Sequence, residues 1–186
     1  AQGYGKKFNQ YLTQSIDNTV VVVQIENIAA IEVETNSSHA GVCRFEQPGD
    51  PEEAKFSITH GVAAGILAQE VSLASFDNGS VTDPAMVTLR NKIAVNVHTE
   101  WEEGSLKQPH PITVTLKNGE TVRTEAKAFR GHPPSILTED ELVSKFQGLA
   151  GMVMDLPQVD RAQNLILTLD TLEDVSSLAN VLTFVE

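Results

Sequence analysis

The most regular alternation of apolar and polar side chains in the chain runs from Ile112 to Ala128. Ile112, Val114 and Leu116 alternate with Thr113, Thr115 and Lys117, and beyond Asn118-Gly119 the even positions Val122, Ala126 and Ala128 are again apolar. A period of two puts successive side chains on opposite faces of a strand, so the stretch predicts a β-hairpin. Parity selects its turn. A two-residue loop at Asn118-Gly119 sets Val114 opposite Arg123 and mixes the two faces. A three-residue loop, Lys117-Asn118-Gly119 with Gly119 left-handed, sets Val114 opposite Val122 and is the expected register. Two further strands are predicted. One carries Ile28, Ile31 and Val33 and ends at Asn36-Ser37-Ser38; in the other, Ile93, Val95 and Val97 alternate with Ala94, Asn96 and His98. Phe8 to Val23 fits either type of element, because Val20 to Val23 favours strand while the length permits a helix.

Helical spacing begins after the turn-rich segment Gln47-Pro-Gly-Asp-Pro51. Phe56, Ala63 and Leu67 form one stripe and Ile58, Val62 and Ile66 its neighbour, which predicts a helix from Glu52 buried on more than one side. Thr82-Asp83-Pro84 offers a capping side chain before a proline at the first helical position, with Met86, Val87 and Leu89 as the inner face. Leu137-Thr138-Glu139-Asp140-Glu141-Leu142 combines a capping box with a hydrophobic staple. The helix it opens carries Leu142, Phe146, Leu149 and Val153 until Pro157 stops or redirects the chain. Further helical patterns follow from Gln158 to Leu169 and from Glu173-Asp174 into Val175, Leu178 and Leu182, where the acidic pair suits a helix N-terminus.

Composition narrows the function classes. The chain has 186 residues, 25 acidic against 13 basic side chains and a formal net charge of −12. Such a balance repels phosphate backbones, and no basic stripe interleaves with aromatics, so nucleic acid is not an expected partner. Apolar runs fall short of the roughly 18 residues of a membrane span, so no membrane partner is expected either. A single cysteine, Cys43, rules out an internal disulfide and suits a reducing compartment; the expected location is cytoplasmic. The start AQGYGKKFNQ has neither an initiating Met nor the apolar core of a signal peptide, and is expected to be a cut end.

Candidate chemistry is sparse. No G-x-G-x-x-G, P-loop, G-x-S-x-G or H-E-x-x-H is present, and the five histidines at 39, 60, 98, 110 and 132 are too dispersed to define a metal site. His60, inside the helix predicted to be buried, reads as a satisfied core imidazole before it reads as a catalytic one. Lys6-Lys7 is the densest positive charge of an acidic protein and could bind a carboxylate, against the simpler reading of a solvated terminus. The acidic groups at Glu52-Glu53, Glu102-Glu103 and Glu139 to Glu141 read as helix-start or loop charges.

An ordered set of short motifs carries a family resemblance. Glu52-Glu53-Ala54-Lys55-Phe56-Ser57-Ile58 is followed by Glu70-Val71-Ser72-Leu73-Ala74-Ser75-Phe76, by Asp83-Pro84 with Lys92, and by Leu116-Lys117-Asn118-Gly119. Arg130-Gly131-His132-Pro133 with Leu137, Glu141-Leu142 with Lys145-Phe146, and Leu172-Glu173-Asp174-Val175 complete the series. Together, from about residue 6 to 182, they resemble the 2-methylcitrate dehydratase (MmgE/PrpD) family. The resemblance implies chemistry on small polycarboxylates without a metal or organic cofactor, at a site between a large helical domain and a smaller α+β lid. It implies that this chain is the lid plus the closing helices, and that the missing N-terminal helical domain holds the acidic and histidine catalytic residues. It assigns Lys6, with Lys7 beside it, to substrate carboxylate binding or proton transfer. It also tips residues 8 to 22 towards helix, although Gln14-Ser15 stands where many relatives have histidine and the link from Val20 to Asn27 is short.

The expected fold is therefore α+β, a two-layer sandwich of helices on a largely antiparallel sheet with flanking terminal helices. Its expected parts are an N-terminal segment at 1–25, a lid at 26–150, and C-terminal helices at 151–186 that in the family pack on the missing domain. Their apolar faces predict docking or a homo-oligomer. The functional expectation is the lid of a lyase or isomerase acting on a small di- or tricarboxylate, inactive as this fragment. The alternative is a non-catalytic binding or assembly module that keeps the lid fold.

Overall fold

The computed structural model describes residues 11–16, 19–68, 71–101, 109–126, 131 and 135–183. The chain divides into two compact units, Ala1–Ala128 and Phe129–Glu186. The helix that starts after Thr138 falls in the second unit.

The first unit opens with β1 (Tyr11–Ile16) and β2 (Thr19–Gln24), an antiparallel pair in the register Tyr11↔Gln24 to Ile16↔Thr19. This corrects the helix expected over residues 8 to 22. The run Val20–Val23 is β-branched at every position, and such side chains lose rotamer freedom in a helix but fit a pleated strand. Next come β3 (Ile28–Asn36), α1 (Ser37–Val42), α2 (Pro51–Lys55), α3 (Ile58–Ala68), α4 (Asn78–Val81), α5 (Pro84–Arg90), β4 (Ile93–His98), β5 (His110–Leu116) and β6 (Thr121–Ala126). A sheet of order β4-β3-β5-β6 results, parallel between β3 and β4 and antiparallel at the other two pairings. The fold class is α+β, with a sheet that is largely antiparallel as expected.

The hairpin takes the register that parity selected. Val114 pairs with Val122, Leu116 N–H bonds to Glu120 O at 2.8 Å, and Gly119 has φ 88°. The helix expected from Glu52 is split. Asp50 caps α2 through the Glu53 N–H, the chain leaves the helix at Phe56, and Ser57 forms a β-bridge to Arg44 before α3 begins. Phe56 therefore stays 47% exposed while Ala63 and Leu67 of the same stripe are buried. Burial on several sides of α3 holds, since Thr59, His60, Ala63, Ala64, Ile66 and Leu67 are all inside. Ala63, Ala64, Ile66 and Leu67 meet Ile28, Ile31 and Val33 of β3, Met86 and Leu89 of α5, Ile93 of β4 and Val114 of β5. Each large aliphatic side chain so buried contributes about 1.5–3 kcal/mol, which makes this layer contact the main stabilising element of the unit. Asp83 caps α5 by accepting from Ala85 and Met86 N–H, with Pro84 in the first turn.

The second unit holds α6 (Glu139–Ala150), α7 (Leu156–Leu167) and α8 (Ser176–Val181). The Thr138–Glu141 capping box forms as predicted. Pro157 lies in the first turn of α7 behind an Asp155 cap, so it opens a helix where it was expected to stop or redirect one. Ala150, Val159, Ala162 and Val181 are buried, whereas Leu142, Leu149, Met152, Val153, Leu156 and Ile166 are exposed.

Candidate functional site

Two polar clusters in the first unit merit attention because they bury groups that water would otherwise solvate. The first joins α3 to α5. His60 is fully buried and Arg90 is 4% exposed. Arg90 Nη1 lies 3.2 Å from His60 Nδ1, and His60 Nε2 lies 2.7 Å from the Ser75 carbonyl oxygen. A guanidinium only donates and a carbonyl only accepts, so the imidazole is neutral with its proton on Nε2. Burial, reinforced by the Arg90 charge, holds His60 below the usual histidine range against the raising effect of the Ser75 bond. Burial also lowers the pKa of Arg90. Phe76 covers the imidazole with ring centroids 5.4 Å apart. The Arg90 Nε atom is buried without a hydrogen-bond partner. Both ring nitrogens are thus committed to structure, and the reading of His60 as a satisfied core imidazole fits this geometry.

The second cluster gathers at the end of the sheet where β3 and β4 finish and β5 starts. The parallel register sets Asn36 beside His98, and on the same strand face Glu34 Oε2 meets His98 Nε2 at 3.1 Å. Arg123 of β6 reaches Glu34 Oε1 at 3.3 Å, and Glu100 Oε1 meets His98 Nδ1 at 2.9 Å. Trp101 stacks on His98 with centroids 4.3 Å apart and stands edge-on to His110. His110 donates from Nδ1 to the Glu34 carbonyl at 3.3 Å, and its ring lies 4.8 Å from that of His39. Burial, then the proximity of His110, holds His39 below the usual histidine range. Asn36 Oδ1 caps α1 by accepting from His39 N–H, while Asn36 Nδ2 and His110 Nε2 are buried without partners.

Folding therefore brings together three of the histidines that sequence spacing kept apart. Among the described residues, no group of three or more His, Cys, Asp or Glu side chains could hold a metal ion. A pocket lined by Ala40, Cys43, Phe45, Thr59, Val95 and Val97 measures ≈ 60 Å³. That is far below the roughly 300 Å³ of an ordinary small-molecule site. The acidic residues of α2 and α6 occupy first turns, and Glu52 pairs with Lys55 at 2.7 Å. Lys6, Lys7, Glu102, Glu103 and His132 lie outside the described residues. No helix among the described residues is long and apolar enough to cross a membrane.

Arg90 was missed in the sequence although its signal was present. It stands four residues after Met86 and one after Leu89, on the helix stripe that faces the core. The His98–Glu34 pair required knowledge of the parallel register, which no local pattern supplies.

What the described residues define is an α+β domain with two partly buried polar clusters. The chain belongs to the MmgE/PrpD family: residues 12–171 match the model of the MmgE/PrpD C-terminal domain. It is 27% identical over 170 residues to the cis-aconitate decarboxylase-like protein oryM of Aspergillus oryzae, covering 90% of this chain and 35% of that protein. It is 26% identical over 136 residues to the cis-aconitate decarboxylase of Mus musculus, covering 73% and 28%. To the cis-aconitate decarboxylase of Aspergillus terreus it is 24% identical over 165 residues, covering 85% and 33%. The chain thus spans about a third of the length of these relatives.

Proposed function

We propose that the chain is the lid portion of a lyase or isomerase acting on small polycarboxylates, and that it is inactive without a preceding helical domain. The observation that carries this reading is the match to the family's C-terminal domain along most of the chain, with relatives named for cis-aconitate decarboxylation. Chemistry of this kind moves a proton at a carbon next to a carboxylate. In dehydration or epimerisation a base removes that proton; in decarboxylation the C–C bond breaks, CO2 leaves, and the electron pair left on carbon takes a proton from an acid. Each route builds negative charge that fixed cationic donors stabilise. Lys6, with Lys7 beside it, is the proposed donor, its ammonium bound to a substrate carboxylate or passing it a proton. The base and the remaining anchors belong to the missing domain, and in the family's manner neither a metal nor an organic cofactor takes part. The exposed Leu142, Met152, Val153, Leu156 and Ile166 are surfaces which that domain, or a second copy of the chain, would cover. The cytoplasm is the proposed location.

One observation favours the second reading, a non-catalytic binding or assembly module. Antiparallel strands occupy Tyr11–Ile16 and Thr19–Gln24, where the resemblance implied a helix beside Lys6. The test is turnover of 2-methylcitrate, cis-aconitate and iminodisuccinate by this chain mixed with the missing helical portion, with Lys6→Ala as control. The proposal expects activity only in the mixture, falling with Lys6→Ala. Absence of turnover, together with no carboxylate-dependent shift in melting temperature, would leave the module reading standing.

A further inference from the structure

We propose that the His60–Arg90 pair is an acid-sensitive latch: protonation of His60 releases the Leu73–Phe76 turn, and with it α4 that packs on the turn, from the hydrogen bond that ties the turn to α3. The imidazole is the side-chain hydrogen-bond partner of Arg90 among the described residues, and it binds the turn through the Ser75 carbonyl. In its neutral form it accepts from Arg90 at Nδ1 and donates to Ser75 at Nε2. A second proton must go on Nδ1, which then points an N–H at the N–H of a guanidinium 3.2 Å away. Two cations and two donors would face each other where His60 is 0% and Arg90 4% exposed.

Among the described residues no carboxylate is placed to relieve this, and β1, which also packs against α3, carries no Asp or Glu. Of the elements packed against α3, α2 carries Glu52, paired with Lys55, and Glu53, which accepts from Gly49 N–H. On α5, Asp83 caps the far end of the helix. Asp77, before α4, accepts from Ser80 N–H at 2.6 Å, and His98 at the end of β4 is bonded to Glu34 and Glu100. Among the described residues, Arg90 is the charge that acts on the ring.

The strain falls on the weakest neighbour. Met86 and Leu89 fix α5 in the main core. The turn and α4 are four residues each; Leu73 is 54% exposed, and Val81 is the one large apolar side chain among them that is fully buried. Segments with few buried apolar contacts open first. The direction in pH follows from the depressed native pKa of His60. Above about pH 6.5 both folded and unfolded chains hold it neutral and the latch is fully formed; as pH falls through that value the open form takes up the proton first, so closure is progressively lost.

NMR titration of the chain from pH 7.5 to 5 tests this, following the His60 ring together with the amide protection of Ser75 and Val81. The two should change in one step, with protection falling about tenfold or more. His60→Gln should leave protection independent of pH. Arg90→Met should let His60 titrate at higher pH without release. The proposal is overturned if protection falls equally in His60→Gln, or if His60 of the unaltered chain titrates while both amides stay protected. The second result needs no variant to fold.

Discussion

Two glycines in the first unit should respond to the same substitution with opposite signs. Gly119 closes the β5–β6 hairpin at φ 88°, and a Cβ built there meets nothing within 4 Å. The cost of Gly119→Ala is therefore conformational, not steric. A left-handed L-residue costs about 1–2 kcal/mol, offset by about 0.4–1 kcal/mol from the stiffer unfolded chain, which leaves a loss of about 1 kcal/mol. Gly61 sits inside α3, also with nothing within 4 Å of a built Cβ, but in ordinary helical conformation. There both effects favour alanine, and Gly61→Ala should gain about 0.5–1 kcal/mol. Trp101 is the chain's single tryptophan, and it stacks on His98 within the same unit. Urea unfolding followed by its fluorescence reads both variants. With a slope of about 1.5–2 kcal/mol/M, the two midpoints should separate by about 1 M, on either side of the parent. Gly119→Asn should lie between Gly119→Ala and the parent, because asparagine tolerates the left-handed region better. A Gly119→Ala midpoint at or above the parent value would show that the turn is not left-handed, and the three-residue loop would fall with it.

Thr138→Ala removes the side chain that accepts from Glu141 N–H and should cost the second unit about 1 kcal/mol, read as a lower urea midpoint in far-UV circular dichroism. An unchanged midpoint would show that the α6 cap carries no stability. Burial raises the Cys43 thiol pKa, so at pH 8 iodoacetamide should alkylate it several-fold more slowly than in the urea-unfolded chain, measured by mass spectrometry. Equal rates would refute the environment assigned to it.

The parts of the fold legible in the sequence are those in which one local rule dominates. The β5–β6 register followed from side-chain parity alone, because a one-residue slip would have exposed Val114, which is 3% exposed in the structure. The caps at Asp83 and Thr138 followed from side-chain chemistry within one turn. Legibility failed where two local signals competed. At residues 8–22 an even contest between strand and helix was decided by analogy, against the β-branched run that the hairpin uses. Near Phe56 an apolar stripe was followed across a break made by a non-local event, the bridge from Ser57 to Arg44.

The candidate site was less legible because its chemistry is set by partners far apart in sequence. His60 and Arg90 are thirty residues apart, and neither is remarkable alone. A buried arginine ordinarily implies a carboxylate, but among the described residues the side-chain partner of Arg90 is His60. Two weaker sources of negative potential take that place. Arg90 lies in the last turn of α5, where the helix dipole favours a cation, and the Nδ1 lone pair of His60 accepts one of its protons. Both are smaller than a full charge, and the second disappears when the imidazole is protonated. A carboxylate partner would have held Arg90 firmly down to acid pH. The imidazole makes the same contact conditional on proton concentration near neutrality, so the choice of a histidine partner among the described residues and the proposed pH sensitivity have one structural cause.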